Sequence, residues 1–313
     1  MRNCLKLEEL PNYSIQFKPV SIEDREWITE LTKCEDSRSA DFCFGNIFMW
    51  DKTYIQYVGR IEMRLIAMPA YKEHPFFSFP IGCGSLVPVI DTLREHSQRH
   101  NFPFSLMGVT EEHRQELEVL YPGKFEFMED RDHADYIYLA EKLATLSGKK
   151  LHGKRNHINR FIEDGNWSFE PMSSESAVEC LAMLDTWTLE SRDVLDVGLS
   201  AEHHAIQQAV EFFDALEMEG GILRRDGRLI AFTMGEKINS DTFNIHFEKA
   251  YPDIQGAYPM INREFVRHIM EKHPEIVYIN REDDMGIENL RQAKMSYHPE
   301  FLVKKFAAVW KED

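Results

Sequence analysis

The chain has 313 residues, 43% of them hydrophobic, and a formal net charge of -17 at pH 7. That length and apolar content exceed one ordinary core and predict two compact domains, while an evenly spread negative charge would repel nucleic acid and anionic lipid. No apolar run reaches the roughly 18 residues a bilayer span needs, and the opening MRNCLKLEELPN lacks the apolar core of a secretion signal, so the expectation is a cytoplasmic protein without an integral membrane segment.

The first half opens on SIEDREWITELTKC, where Ser21 can cap a helix, Asp24 complements its dipole, and Trp27, Ile28 and Leu31 form an apolar stripe. Two β-rich runs follow, TYIQYV and EMRLIAMP, with Gly59 as the expected hairpin turn. A third run, PFFSFPIG, ends at Gly82 and Gly84. Then come a helix in SLVPVIDTLREHSQRH, the run FPFSLMGV, a helix in EEHRQELEVLY and the run YIYLA. The second half repeats that order: helices in ESAVECLAMLDTWTLESR and AEHHAIQQAVEFFDAL, strands GGILRR, RLIAFTMGEKI and TFNIHFEKA, a loop YPDIQGA, the helix PMINREFVRHIMEKH, the strand IVYIN, the helix GIENLRQAKMSY and a final strand FLVKKFAAVW. Asp226-Gly227 is the expected tight turn between the first two strands. Element order alone therefore predicts two copies of one α+β unit, 1–147 and 148–313, joined near residues 141–150, with the first serving as scaffold.

Five cysteines, Cys4, Cys34, Cys43, Cys83 and Cys180, are odd in number and widely scattered without a C-x-x-C pair, so they are expected as reduced thiols. Cys83 between two glycines reads as a packing residue, since no base is identified for it. His96 and His100 lack a glutamate after the first histidine and a third ligand, and the adjacent His203 and His204 point apart on a helix, so no metal is expected. Against the acidic whole, GKKLHGKRNHINR carries Lys149, Lys150, Lys154, Arg155 and Arg160 with no acidic residue. This basic helix, 148–161, leads into the second domain.

Alternation in TFNIHFEKA puts Phe243, Ile245 and Phe247 on one face and Asn244, His246 and Glu248 on the other. Polar groups on an interior strand need partners, so that face reads either as the wall of a cleft or as a wetted edge. The next strand, IVYINREDDMG, runs straight into Asn280, Arg281, Glu282, Asp283 and Asp284 at its carboxyl end, where ligands collect in open α/β sheets. The following helix brings Arg291 and Lys294 to one face. A salt-bridge network at a sheet end is the structural alternative.

Between these strands, YPDIQGAYPMINREF leads a loop into a helix whose first N–H groups are a natural anion site. The strand, loop and helix resemble the donor-binding core of the GNAT acyltransferases. Gln255 matches the first position of their phosphate cradle, but Tyr258 and Met260 stand where that pattern has glycine or alanine, and Pro259 has no N–H to offer. The stretches GKKLHGKRNHINRF, HFEKA, QGAYPMINREF and YINREDDMGIENLRQAKMSYHPEFLVKKF extend the likeness over nearly the whole chain: it resembles the soluble C-terminal catalytic domain of phosphatidylglycerol lysyltransferases, relatives of the Fem peptidyltransferases. That resemblance implies an α+β fold of two tandem GNAT-like units, each a mixed, mostly antiparallel sheet flanked by helices. It also implies transfer of an aminoacyl group from aminoacyl-tRNA, rather than an acyl group from coenzyme A, to an amine or hydroxyl on a small-molecule or peptide acceptor.

Acyl transfer needs a base or relay and donors for the oxyanion. Glu248 is the expected base, His246 the relay, and Asn280 or Lys294 the oxyanion donor, with Arg281 and Glu282 pairing to fix the site. The expected substrate-binding set is Asn244, Gln255, Gly256, Tyr258, Asn262, Arg281, Glu282, Asp283, Arg291 and Tyr297. Lys149, Lys150, Lys154 and Arg155 are the expected contacts to the phosphates of a tRNA acceptor stem. A coenzyme A-dependent N-acyltransferase and a non-catalytic binding protein are the competing readings.

Overall fold

Apolar alternation and turn chemistry place most elements where the sequence predicts them; the computed structural model describes residues 15–51, 56–69, 75–190 and 197–311. In chain order these are β1 (Lys18–Pro19), α1 (Arg25–Glu35), α2 (Phe44–Met49), β2 (Gln56–Ile61), β3 (Arg64–Pro69), β4 (Phe77–Ser78), β5 (Ile81–Gly82), α3 (Val87–Arg99), β6 (Ser105–Thr110), α4 (Glu111–Leu120) and β7 (Phe125–Glu129). They continue as β8 (Asp135–Leu139), α5 (Ala140–Thr145), α6 (His152–Glu163), β9 (Trp167–Pro171), α7 (Ser174–Glu190), α8 (Val197–Glu211), β10 (Glu219–Arg225), β11 (Arg228–Lys237) and β12 (Thr242–Ala250). The last are α9 (Ala257–Lys272), β13 (Tyr278–Asn280), α10 (Glu288–Met295), β14 (Phe301–Val303) and β15 (Lys305–Trp310).

Two compact units result, Met1–Ala134 with Val303–Asp313, and Asp135–Leu302. In the first, one sheet runs β1-β2-β3-β5 and another β4-β6-β15-β7; the second unit holds a seven-stranded sheet, β14-β8-β13-β12-β11-β10-β9. The same motif recurs in both. β4 and β6 are parallel and joined through α3, as β12 and β13 are parallel and joined through α9. In each, an antiparallel strand then follows the second member of the pair: β15 beside β6, and β8 beside β13.

Those two strands overturn the boundary expected at 147/148. YIYLA, the last run of the first half, forms β8 and completes the second unit's sheet, while FLVKKFAAVW breaks into β14 and β15, the latter pairing with β6 and β7 in the first unit. Each half of the sequence thus hands one strand to the unit built by the other. The first unit's core shows why β15 is held there: Phe306 and Ala308 are buried in a cluster with Phe77, Leu93, Phe104, Leu106 and Phe125. Fully burying a large apolar side chain stabilises by about 1.5–3 kcal/mol.

Two smaller expectations also change. Gly59 lies inside β2, and the hairpin turns at Glu62–Met63, with Glu62 in the left-handed region at φ 53; a side chain at Gly59 would meet Gln16 O at 3.2 Å. Cys34 and Cys83, expected as thiols, form a disulfide with Cα atoms 5.9 Å apart, tying α1 to the loop after β5. Cys43 and Cys180 are buried and take no part in that disulfide, and Cys4 lies outside the described residues. The Asp226-Gly227 turn is as expected, both residues having positive φ of 51 and 79.

Candidate active site

The second unit's parallel pair splits. β12 and β13 are in register only from Thr242↔Tyr278 to Asn244↔Asn280, whereas β12 stays on β11 as far as Ala231↔Ala250. Beyond Asn244 the two strands therefore part, and the charged carboxyl end of β13 faces the second half of β12.

A bulge decides which side chains line that split. Phe247 pairs with Met234, but the next pair is Ile245 with Gly235, leaving His246 as an extra residue in β12. One inserted residue inverts the alternation beyond it. Glu248 consequently leaves the face shared by Asn244 and His246 and joins that of Phe243: Phe243 packs edge-on against Phe265 of α9, and Glu248 Oε2 accepts from Asn262 Nδ2 at 2.9 Å on the same helix. The single polar face predicted from simple alternation does not exist.

On the α9 side, Arg281 spans the split, its Nη2 donating to Glu248 Oε1 at 2.9 Å. Both side chains are nearly buried, 13% and 8% exposed. Burial disfavours the guanidinium's charge, and Glu248 outweighs it, raising the Arg281 pKa. The Tyr297 ring lies 4.9 Å from the guanidinium, and Lys154 Nζ sits 4.1 Å from the centre of that ring. Burial and the neighbouring Arg281 lower the Lys154 pKa, with Glu248 opposing. Burial pushes Tyr258 up to about 12 and raises Tyr297 further, so both hydroxyls stay protonated near neutrality. The site thus gathers Lys154, Glu248, Tyr258, Asn262, Arg281 and Tyr297. Both oxygens of Glu248 are engaged, so action as a base requires it to exchange one of these bonds.

The other face is a separate cluster. His246 lies between two carboxylates, Nδ1 at 2.9 Å from Glu282 Oε1 and Nε2 at 3.1 Å from Glu236 Oε1, and Asn244 Nδ2 donates to the same Glu282 oxygen at 2.8 Å. Burial works against the imidazolium, but the bonds to Glu236 and Glu282 prevail and push its pKa up to about 9. Both ring nitrogens of His246 are thus engaged by carboxylates. The expected Arg281–Glu282 pair is absent: adjacent residues point to opposite faces, Arg281 to Glu248 and Glu282 to His246. Glu236 went unnoticed in the sequence, although the β11–β12 register sets it directly opposite Asn244.

The segment after β13 is internally bonded. Asn280 is fully buried, its Oδ1 accepting from the Glu282 N–H at 2.6 Å and its Nδ2 donating to Asp135 Oδ2 at 3.2 Å. Asp283 Oδ1 accepts from the Met285 N–H at 3.2 Å. Asp284 accepts from Tyr136 at 2.5 Å and from Arg291 at 2.7 and 3.0 Å, which hold its pKa well below the usual range against the burial that raises it. Lys294 Nζ donates to the carbonyls of Arg281, at 2.6 Å, and Asp283, and burial lowers its pKa to about 8. Through these bonds Asn280, Arg291 and Lys294 hold the loop that carries Arg281.

At the start of α9, Gly256 has φ 87, and a side chain there would collide with the His157 carbonyl and lie 2.9 Å from Phe161 Cβ. Helix α6 therefore packs on this loop, where Gln255 Nε2 is 3.3 Å from His157 Nδ1. The Ala257 N–H donates to Ile254 O and the Met260 N–H to Gly256 O, and Pro259 has none. Of the four basic residues, Lys149 and Lys150 are exposed, Lys154 turns into the site, and Arg155 donates to the carbonyls of Leu146 and Gly148.

Among known proteins, the chain is 39% identical to a conserved protein of unknown function from Bacteroides thetaiotaomicron, covering 95% of this chain and all of that one with a TM-score of 0.90. A C-terminal domain assigned to a lysylphosphatidylglycerol synthetase from Agrobacterium fabrum shares the fold at 15% identity, TM-score 0.66, over 93% of this chain and 92% of that one. An uncharacterized protein of Mycoplasmoides gallisepticum is 25% identical over 181 residues, 55% of this chain, and the match spans about half, 54%, of that curated relative's length. The repeated parallel pair and these likenesses give an α+β fold of two units with mixed sheets flanked by helices. The family described as phosphatidylglycerol lysyltransferase, C-terminal, matches residues 34–309, and the chain belongs to that family.

Proposed function

We propose that the protein transfers an aminoacyl group from aminoacyl-tRNA to an amine or hydroxyl at the split between β12 and β13. Family and fold support acyl or aminoacyl transfer. The observation that carries the reading is the array of Asn262, Glu248 and Arg281 across the split, with Lys154 and Tyr297 against it. In the reaction the acceptor's nitrogen or oxygen attacks the acyl carbon, the bond to the tRNA ribose oxygen breaks, and the nucleophile's proton leaves. Arg281 and the protonated Tyr297 are donors suited to the developing oxyanion. Glu248 takes the nucleophile's proton after giving up one hydrogen bond and returns it to the departing ribose oxygen.

The start of α9 favours this donor over coenzyme A. A pyrophosphate cradle needs several free N–H groups, and here Ala257 and Met260 spend theirs within the turn while Pro259 has none. Exposed Lys149 and Lys150 on the approach to α6 suit RNA phosphates.

The test is transfer from radiolabelled aminoacyl-tRNA to a panel of amines and alcohols, beside thermal-shift titration with acetyl-coenzyme A. Label in a product other than free amino acid, lost in Arg281→Ala, is the expected result. Stabilisation by coenzyme A with no aminoacyl transfer would overturn it.

A further inference from the structure

Asn262 is fully buried, and although its Nδ2 is bonded to Glu248, its Oδ1 is buried without a hydrogen-bond partner among the described residues. The amide's orientation is fixed by chemistry. An ionised carboxylate only accepts, so the NH2 must face Glu248, and the free acceptor must be the other branch. At the far end of the same array the Arg281 guanidinium donates to the other oxygen of Glu248, with the Tyr297 hydroxyl beside it. The array therefore offers an acceptor at one end and donors at the other, bridged by one carboxylate.

Resting on the aminoacyl reading above, we infer that Asn262 Oδ1 is the subsite for the α-amino group of the transferred residue, with the acyl carbonyl directed to Arg281. An α-aminoacyl group carries a donor and an acceptor one carbon apart, the complement of this array. An acetyl group carries only the acceptor and leaves Asn262 unpaired, the kind of mismatch by which polar sites reject analogues that lack a group. A second observation points the same way. The Lys154 ammonium already lies 4.1 Å from the centre of the Tyr297 ring, so an aromatic face here receives an alkylammonium. Lys154 would compete with a ligand's ammonium for the same field.

The experiment is isothermal titration of the full chain with three uncharged-tail mimics of the acyl end: alaninamide, propionamide and N-acetylalaninamide. Alaninamide should bind at least tenfold more tightly than the other two. Asn262→Leu should remove that margin, with folding checked by its melting transition. Lys154→Met should tighten alaninamide at least threefold relative to propionamide. Equal binding of alaninamide and propionamide, or a margin that survives Asn262→Leu, would overturn the subsite even where aminoacyl transfer is measured. If all three amides fail to bind while acetyl-coenzyme A binds, the aminoacyl reading falls with it.

Discussion

Arg281 touches both Glu248 and Tyr297, so its loss has two separable consequences. Arg281→Ala leaves a nearly buried carboxylate without its cation and should cost about 3–5 kcal/mol of stability, read from urea unfolding. Loss of a charged oxyanion donor should also lower single-turnover transfer by about 100-fold or more. Arg281→Lys should recover part of the stability and little of the rate, since a lysine cannot present the same fork. His246 makes a different prediction. Its pKa rises from the ordinary histidine value to about 9 in the folded chain, so its contribution is complete below about pH 6.5 and fades as pH climbs through 9. That contribution is on the order of 3 kcal/mol. Melting temperature should fall between pH 7 and 10, and the fall should be shallower in His246→Gln; equal slopes would remove His246 from the account.

The bulge in β12 and the turn into α9 are the elements that shape the site. Gly256 combines φ 87 with the close approach of α6 at His157, so Gly256→Ala should destabilise by about 1–3 kcal/mol and move α6 and Lys154, lowering the denaturation midpoint and transfer together. Much of this neighbourhood was legible in the sequence. HFEKA and INREDDMG stood out because polar residues followed apolar strands, and the structure does set Glu248 against Arg281. What alternation missed was the extra residue at His246, because a bulge depends on cross-strand register rather than on local composition. Lys154 was legible only as part of a basic run; its turn into the site follows from Ile158 and Phe161 being the buried face of α6, which no charge count conveys. The Cys34–Cys83 bond was hidden by an odd number of cysteines spaced far apart.

For the whole molecule, the two strands that change units set where the chain can be cut. Residues 148–313 lack Asp135–Leu139, which pairs with β13 in the second sheet, and residues 1–147 lack Lys305–Trp310, which lies between β6 and β7 in the first. A fragment of residues 135–303, which keeps the entire second sheet, should show a cooperative thermal transition by circular dichroism, and 148–313 should not. Element order revealed the duplication but not this exchange, because a strand's pattern records which faces it buries and not whose sheet it joins. The exchange also sets a timetable for synthesis. Thr110 waits for Lys305, its partner in register, which leaves the ribosome roughly 200 residues later, a delay on the order of 10–40 s. Through that interval the edges of β6 and β7 are open on the nascent chain, so the half that emerges first is the one most dependent on chaperones.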